Sequence, residues 1–521
     1  MKLIYFKYNN SKIDHPLNGF EKDFRNVALI EDELSPICLV GINGSGKSKL
    51  LECIAEVFEY LNSLYTDFIS EIKLNEIQFQ IDYLFKIKRG YKYVRFIKDE
   101  LSKKTICFIG SNQDSLFELF NIDEIRAFLP EIVIGYSSGE NELLSSYFHP
   151  YNDSYSDYYQ TRAIYPTKRI EKLPDLPHFL WVDYKMNNLV FICNSILGLF
   201  EDKIWSQITK EINIEKLKSF QITIKLKPKT GPVKGIFPAP EQNEIIEKLK
   251  NCSTSMSYSD KENTTIFDFY LSDATKKAFQ ENFKTKLNLY ISLFQLYLLN
   301  HVLLRSELQE INRIQKETGE KLARPQINET QNAFNISNIK LQLSNAKSVV
   351  SYRDLSDGEH QYLHVFGTLN MVNRDNVLFL MDEPETHFNP QWRSAFISNM
   401  KSTIGKSKQE YLITTHSPFL LSDSKSENVF IFNKQKNKIK VEQPEIQTYG
   451  TAIDKLLEIA FGVSPPIAKL SSDAINRLIN NKNKSIEELE KEALGFGDSI
   501  KKMMLYHRIE EKKEEQRNKE I

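Results

Sequence analysis

Residues 41–48 read GINGSGKS and fit the pattern GxxxxGK[ST]. The run before them, SPICLV (35–40), is apolar enough for a buried strand. The run after them sets Leu50, Leu51, Ile54, Val57, Phe58 and Leu61 at helical spacing. A strand, a glycine-rich turn and a helix in that order predict a phosphate cradle. Gly41, Gly44 and Gly46 let the backbone wrap an anion, with the amides from Asn43 and Ser45 onward turned inward. Lys47 is then expected to bridge the β- and γ-phosphates of a nucleotide, and the Ser48 hydroxyl to sit on Mg²⁺. The plainer alternative is a glycine turn that binds nothing.

Three later motifs narrow the chemistry. Residues 377–383, VLFLMDE, read as a strand buried on both faces and ending in two carboxylates. Asp382 is expected to hold the magnesium shell, and Glu383 to polarise an attacking water. Against this stands the simpler reading of acidic residues capping the next helix. About 30 residues on, YLITTHSP places His416 at the end of another strand, on the same edge of the sheet. Between phosphate loop and carboxylates lies LSDGEHQ (355–361), a polar turn that can build no core and must touch something.

GxxxxGKS, LSxGxxQ, an apolar strand ending in Asp–Glu and a strand ending in His, in this order, resemble the ABC-type ATPase fold. Within it the chain resembles the SMC/RecF/Rad50-like branch. The resemblance implies an α/β ATPase head, a phosphate-loop NTPase with a mixed sheet and an antiparallel β subdomain. It implies two ATP molecules held between two heads, hence a homodimer or larger even-numbered oligomer. Ser356, the Gly358 amide and Glu359 would then meet the nucleotide of the partner head, while Gln361 braces the turn. Departures are visible: Asp357 replaces a usual glycine, Glu359 stands where transporters carry Gln, and Asn389 stands where an Asp is usual. ETHFNP (385–390) is closer to the E-x-H-L-H-P run of RecF-like and overcoming-lysogenisation-defect (OLD)-like ATPases. Ser138, Glu140 or Asn141 is the candidate for the glutamine-loop position.

Roughly 300 residues separate phosphate loop and signature, about 200 more than in a transporter domain by family resemblance. We divide the chain into the N-terminal half of the head (1–150), an inserted, mainly helical arm (151–335), the C-terminal half of the head (336–448) and a helical C-terminal region (449–521). In the arm, Tyr- and Asp-rich loops are expected at 151–160 and one long helix at about 272–318. That helix carries Phe283, Tyr290, Tyr297, Leu304 and Ile311 every seven residues, so it is either a short coiled coil or a packed helix. Its apolar part, 287–304, is interrupted by polar residues and reads as a buried helix rather than a membrane span.

The plan resembles compact, restriction-system-associated (AAA_21-like) ATPases, including the ATPase subunits of Septu-type and retron antiphage systems. That resemblance implies slow, regulatory hydrolysis and a separate effector, an HNH-type nuclease, with a reverse transcriptase or retron RNA–DNA as a further partner. An OLD-type ATPase–nuclease would need an Asp-x-Asp pair after His416, and none is present. A RecF-like clamp on DNA is the remaining alternative. With 68 basic against 69 acidic residues the whole chain is no polycation, so nucleic acid would need a local patch such as KIKRGYKYVRFIK (86–98). Five scattered cysteines fit neither a zinc knuckle nor a disulfide framework and point to a cytoplasmic protein.

Overall fold

The computed structural model describes residues 1–521 except 13, 28–33, 66–76, 100–103, 140–141, 166–176, 198–202, 227–235, 319–321, 323, 326–330, 345–347, 406, 436–437, 465 and 521. Eighteen strands follow in chain order among the described residues: β1 (Lys2–Asn10), β2 (Phe20–Asp23), β3 (Ile37–Val40), β4 (Ile77–Lys86), β5 (Tyr91–Lys98), β6 (Thr105–Gly110), β7 (Leu116–Leu119), β8 (Ile132–Ser137), β9 (Phe179–Trp181), β10 (Ile214–Lys225), β11 (Ser255–Ser259), β12 (Thr264–Tyr270), β13 (Phe334–Leu343), β14 (Val349–Ser351), β15 (Val377–Asp382), β16 (Glu410–Thr415), β17 (Val429–Gln435) and β18 (Lys438–Glu442).

They form three sheets. The central one has the order β18-β17-β3-β16-β15-β8-β9. It is parallel from β17 to β9, and only β18 runs against its neighbour. β3 and β16 are buried at every position, as strands covered on both faces must be. The second sheet, β2-β1-β4-β5-β6-β7, is antiparallel throughout. The helix Lys47–Tyr65 lies between these two sheets. Its Phe58, Tyr60 and Tyr65 meet Tyr83, Phe79 and Phe96 of the antiparallel sheet, and its other side packs on β15 and β16. One hydrophobic core therefore runs through both layers. This is the expected α/β plan of a nucleotide sheet with an antiparallel subdomain, completed by helices at the C-terminus.

The segment 151–335 departs from expectation in three ways. The Tyr-rich stretch is not a loop but the body of the helix His149–Ile164, whose Tyr151, Tyr155 and Tyr159 recur every four residues and are buried along one face. The expected long helix is broken into Asp273–Phe283, Lys286–Tyr297, Leu299–Leu303 and Arg305–Thr318. Lys284 ends the first piece at φ 64°, Thr285 caps the second by accepting from the Asn288 amide, and the axis then bends by 86°. Lys286–Tyr297 buries Leu287, Leu289, Tyr290, Ile291, Leu293, Phe294 and Leu296 on all sides, so the heptad spacing marks a core helix and not a protruding coiled coil. Third, beside its helices the segment supplies β9 to the central sheet and β10, β11 and β12 to a third, antiparallel sheet of order β11-β12-β10-β13-β14. That sheet hands the chain through β14 and the turn Tyr352–Asp354 to Ser356.

Among the described residues no single helix is long and apolar enough to cross a membrane. All five cysteines are buried thiols. The C-terminal helices Lys469–Asn480, Ile486–Ala493 and Ile500–Glu520 share a small core of their own, built on Ile475, Leu489, Leu505 and Ile509.

Candidate nucleotide site

Parallel register assembles the site. Val40 of β3 stands beside Thr415 of β16, and Thr414 of β16 beside Asp382 of β15. The phosphate loop, His416 and the Asp382–Glu383 pair thus leave the sheet at one edge, outside the carboxyl ends of the strands, where open α/β sheets bind ligands.

The loop takes up a cradle shape. Gly44 and Gly46 have φ 74° and 104°, conformations open to glycine. A side chain at Gly41 would strike the Phe432 carbonyl at 2.4 Å. Asn43 is exposed with Gly44 on the outer turn, while Ser45 is buried and its hydroxyl has no hydrogen-bond partner. Lys47 is 5% exposed. Its Nζ donates to the loop's own carbonyls, Gly41 at 3.0 Å and Ile42 at 3.4 Å. Burial lowers the Lys47 pKa, and the nearby Glu383, Asp382 and Glu385 act against that.

Ser48 Oγ donates to Asp382 Oδ1 at 2.7 Å, and Thr414 Oγ1 donates to the same oxygen at 2.6 Å. A hydroxyl and a carboxylate at the mouth of a glycine cradle are hard oxygen donors of the kind Mg²⁺ takes. The orphaned Ser45 hydroxyl and the lysine folded onto its own loop fit a phosphate chain in the same place.

Glu383 follows Asp382 with φ 47°, uncommon for a residue with a side chain and worth about 1–3 kcal/mol of strain. The Thr414 carbonyl and hydroxyl hold it there by accepting from the Glu383 amide at 3.2 and 3.0 Å. Its Oε1 lies 3.3 Å from His416 Nε2, and the same nitrogen lies 3.0 Å from Lys47 Nζ. His416 holds the Glu383 carboxyl below the usual carboxylate range, first through that hydrogen bond and then, with Lys47, through charge.

The signature turn lies elsewhere. Ser356 caps the helix Asp357–Met371 in a reciprocal box with Glu359: the Ser356 amide and hydroxyl both donate to Glu359 Oε2 at 2.8 Å, and the Glu359 amide donates back at 3.4 Å. Ser356, Asp357, Gly358 and Glu359 line a surface concavity with His387, Asn389 and Trp392, and no phosphate-loop residue takes part in it. Gly358 is needed because a side chain there would come within 2.8 Å of the His387 carbonyl. Gln361, buried, donates to the Pro384 carbonyl at 2.8 Å and accepts from the His387 amide at 3.1 Å. The signature helix is thereby pinned to the segment that follows Glu383.

A model of the AAA ATPase domain family (AAA_15) matches residues 22–421. The chain belongs to this AAA ATPase domain family. Protein ea59 of Escherichia phage lambda is 27% identical over 107 residues, 20% of this chain and 20% of that protein. The chain thus matches about a fifth of that relative's length. Two solved SMC heads share 12% and 9% identity: one bound to the C-winged helix domain of ScpA, with a TM-score of 0.32 over 85% of this chain and 98% of that one, and one from Thermotoga maritima, with 0.31 over 86% and 100%. Likenesses at that level fix no residue's role.

In this AAA ATPase domain the phosphate loop, Asp382, Glu383 and His416 come together, and Ser356, Gly358 and Glu359 stand apart from them. Ser138, one candidate for the glutamine loop, donates from its hydroxyl to Thr386 Oγ1 at 3.1 Å and from its amide to the Asp382 carbonyl at 3.2 Å. The other two, Glu140 and Asn141, lie outside the described residues. Sequence reasoning missed Thr414, Thr415 and Glu385. Their signal was the doubled threonine before His416 and the second glutamate of DEPE, but neither has meaning until β15 and β16 are in register.

Proposed function

We propose that this AAA ATPase domain binds ATP with Mg²⁺, closes head to head on a second copy around it, and restrains a separate nuclease in antiphage defence. The observation that carries the shared-site part is the separation just described: a signature concavity to which the phosphate loop of the same chain contributes nothing. An exposed helix N-terminus with a serine cap is an anion site waiting for a ligand from outside. A phosphate arriving there would take over the Ser356 hydroxyl from Glu359.

Lys47 would turn from the Gly41 and Ile42 carbonyls to the β- and γ-phosphates. Ser48 and Asp382 would hold Mg²⁺, which neutralises phosphate charge when bound. Glu383 would hydrogen-bond the attacking water. Water oxygen bonds to γ-phosphorus, the bond from phosphorus to the ADP oxygen breaks, and the water proton passes to Glu383 or to the released phosphate. Slow, regulatory turnover is what the motif resemblance to AAA_21-like defence ATPases implies.

The motif resemblance to AAA_21-like, Septu-type and retron-associated ATPases supports an HNH-type partner. In the 86–98 stretch that a RecF-like clamp would use, Arg95 is paired with Asp82, and Lys86 and Lys98 lie over the rings of Tyr91 and Tyr60, while Lys88 and Arg89 are exposed.

The test is the Glu383→Gln variant, alone and with an HNH-type nuclease that co-purifies with it. ATP is expected to give a dimer-sized head species in sedimentation and a silent nuclease, and dilution of ATP to release cleavage. Cleavage that ignores nucleotide would refute the regulatory reading, and a monomer at saturating ATP would refute the dimer.

A further inference from the structure

Glu385, two residues past Glu383, is 3% exposed. Its Oε1 accepts from the Thr415 hydroxyl. The Thr415 oxygen in turn accepts from the Ser417 amide at 2.9 Å. These two hydrogen bonds grip the chain immediately before and immediately after His416. The other end of the grip is also fixed: the Glu385 carbonyl accepts from Arg393 Nε at 3.3 Å, and the neighbouring Pro384 carbonyl and His387 amide are held by Gln361 of the signature helix.

A carboxyl is an expensive choice for such a place. Glu385 Oε2 is buried with no hydrogen-bond partner, and so is the nearby Ser417 hydroxyl. Burial pushes the Glu385 pKa up to about 7. A valine would avoid the unpaired carboxyl oxygen but leave the buried Thr415 hydroxyl without its acceptor. What the carboxyl adds is a fixed acceptor that sets the Thr415 hydroxyl, and through it the direction in which the chain presents the imidazole.

We propose that Glu385 is a positioning residue for His416, acting through Thr415 and Ser417 to aim Nε2 at the gap between Lys47 and Glu383. It touches no reacting atom. Because the backbone on either side of it, at Pro384 and His387, is tied to Gln361, it also couples the signature helix to the histidine. The inference rests on the ATPase reading of Glu383 and His416, and goes beyond it by naming what holds the histidine.

A double-mutant cycle tests it, with turnover, binding of a fluorescent ATP analogue and melting temperature read for each protein. His416→Ala is expected to slow turnover by about 10-fold or more. Glu385→Ala and Thr415→Val are expected to do the same while nucleotide affinity stays within about 2-fold, and Glu385→Gln, which keeps an acceptor for Thr415, to recover most of the rate. In the His416→Ala background, Glu385→Ala should add nothing. If it multiplies the defect there, or if Glu385→Gln is as slow as Glu385→Ala, the positioning role is wrong while His416 keeps its own. If His416→Ala turns over at the wild-type rate, the reading of His416 fails and this inference with it.

Discussion

His416 offers one ring nitrogen to two neighbours, Lys47 Nζ at 3.0 Å and Glu383 Oε1 at 3.3 Å. That nitrogen can accept from the ammonium or donate to the carboxylate, but not both at once. A phosphate that draws Lys47 off therefore frees Nε2 for Glu383. Lys47→Ala should abolish ATP binding in a fluorescence titration, because its ammonium is the cationic side chain of the phosphate loop. Glu385 makes a separate prediction through pH. Its native pKa of about 7 lies above the ordinary 4.5, so the folded state holds the proton more tightly than the unfolded chain. Its contribution is full below about 4.5 and fades as pH rises through about 7, a difference of roughly 3 kcal/mol at most. Melting curves should show Glu385→Gln gaining on the wild type between about pH 5 and pH 8. A constant gap would contradict the buried-carboxyl account. At this scale Lys47, Ser48, Asp382, Glu383 and His416 were legible because each is named by its own neighbours in sequence. Glu385 and Thr415 were not, because their partnership is made by strand register.

The element that joins the two halves of the site is the helix Asp357–Met371, buried along nearly its whole length after the cap. Its first turn is exposed and polar, and its body carries a buried His364 with both ring nitrogens unpartnered, flanked by Tyr136 and Tyr184. Burial, and secondarily His360, push the His364 pKa down to about 3. A native pKa below the ordinary value means stability that is present above about pH 6.5 and is lost as pH falls toward 3. His364→Leu should accordingly lose less stability than the wild type between about pH 7 and pH 5, read as urea midpoints. Gly358→Ala forces a side chain to within 2.8 Å of the His387 carbonyl. It should cut ATPase activity by about 10-fold or more while lowering stability by only about 1–3 kcal/mol, since the clash falls on the joint between signature and carboxylate segment. The helix of buried tyrosines at 149–164 and the break at Lys284 show why elements in the inserted segment were harder to read than the strands of the head. Loop-rich composition hid a four-residue period in the first, and an apolar run hid a cap in the second.

Over the whole molecule, the central sheet, the antiparallel sheet and the helix between them make one body, and the order of motifs along the chain sufficed to anticipate it. The third sheet was harder to foresee, because β10 and β13 pair across more than 100 residues and the hairpin β11–β12 is a polar edge. It ends at Ser351, and the turn Tyr352–Asp354 leads from there to the signature turn at Ser356, whose concavity no phosphate-loop residue lines. The central claim is that one working site is built from two chains. Mixing two inactive proteins tests it most directly, one with Lys47→Ala and one with Ser356→Arg. In a two-fold dimer half of the mixed molecules pair unlike chains, and each such pair holds one site with an intact loop and an intact signature. ATP hydrolysis of the equimolar mixture should therefore return to about a quarter of the wild-type rate. A mixture as inactive as its two components, or a Ser356→Arg protein that hydrolyses ATP normally by itself, would contradict the account.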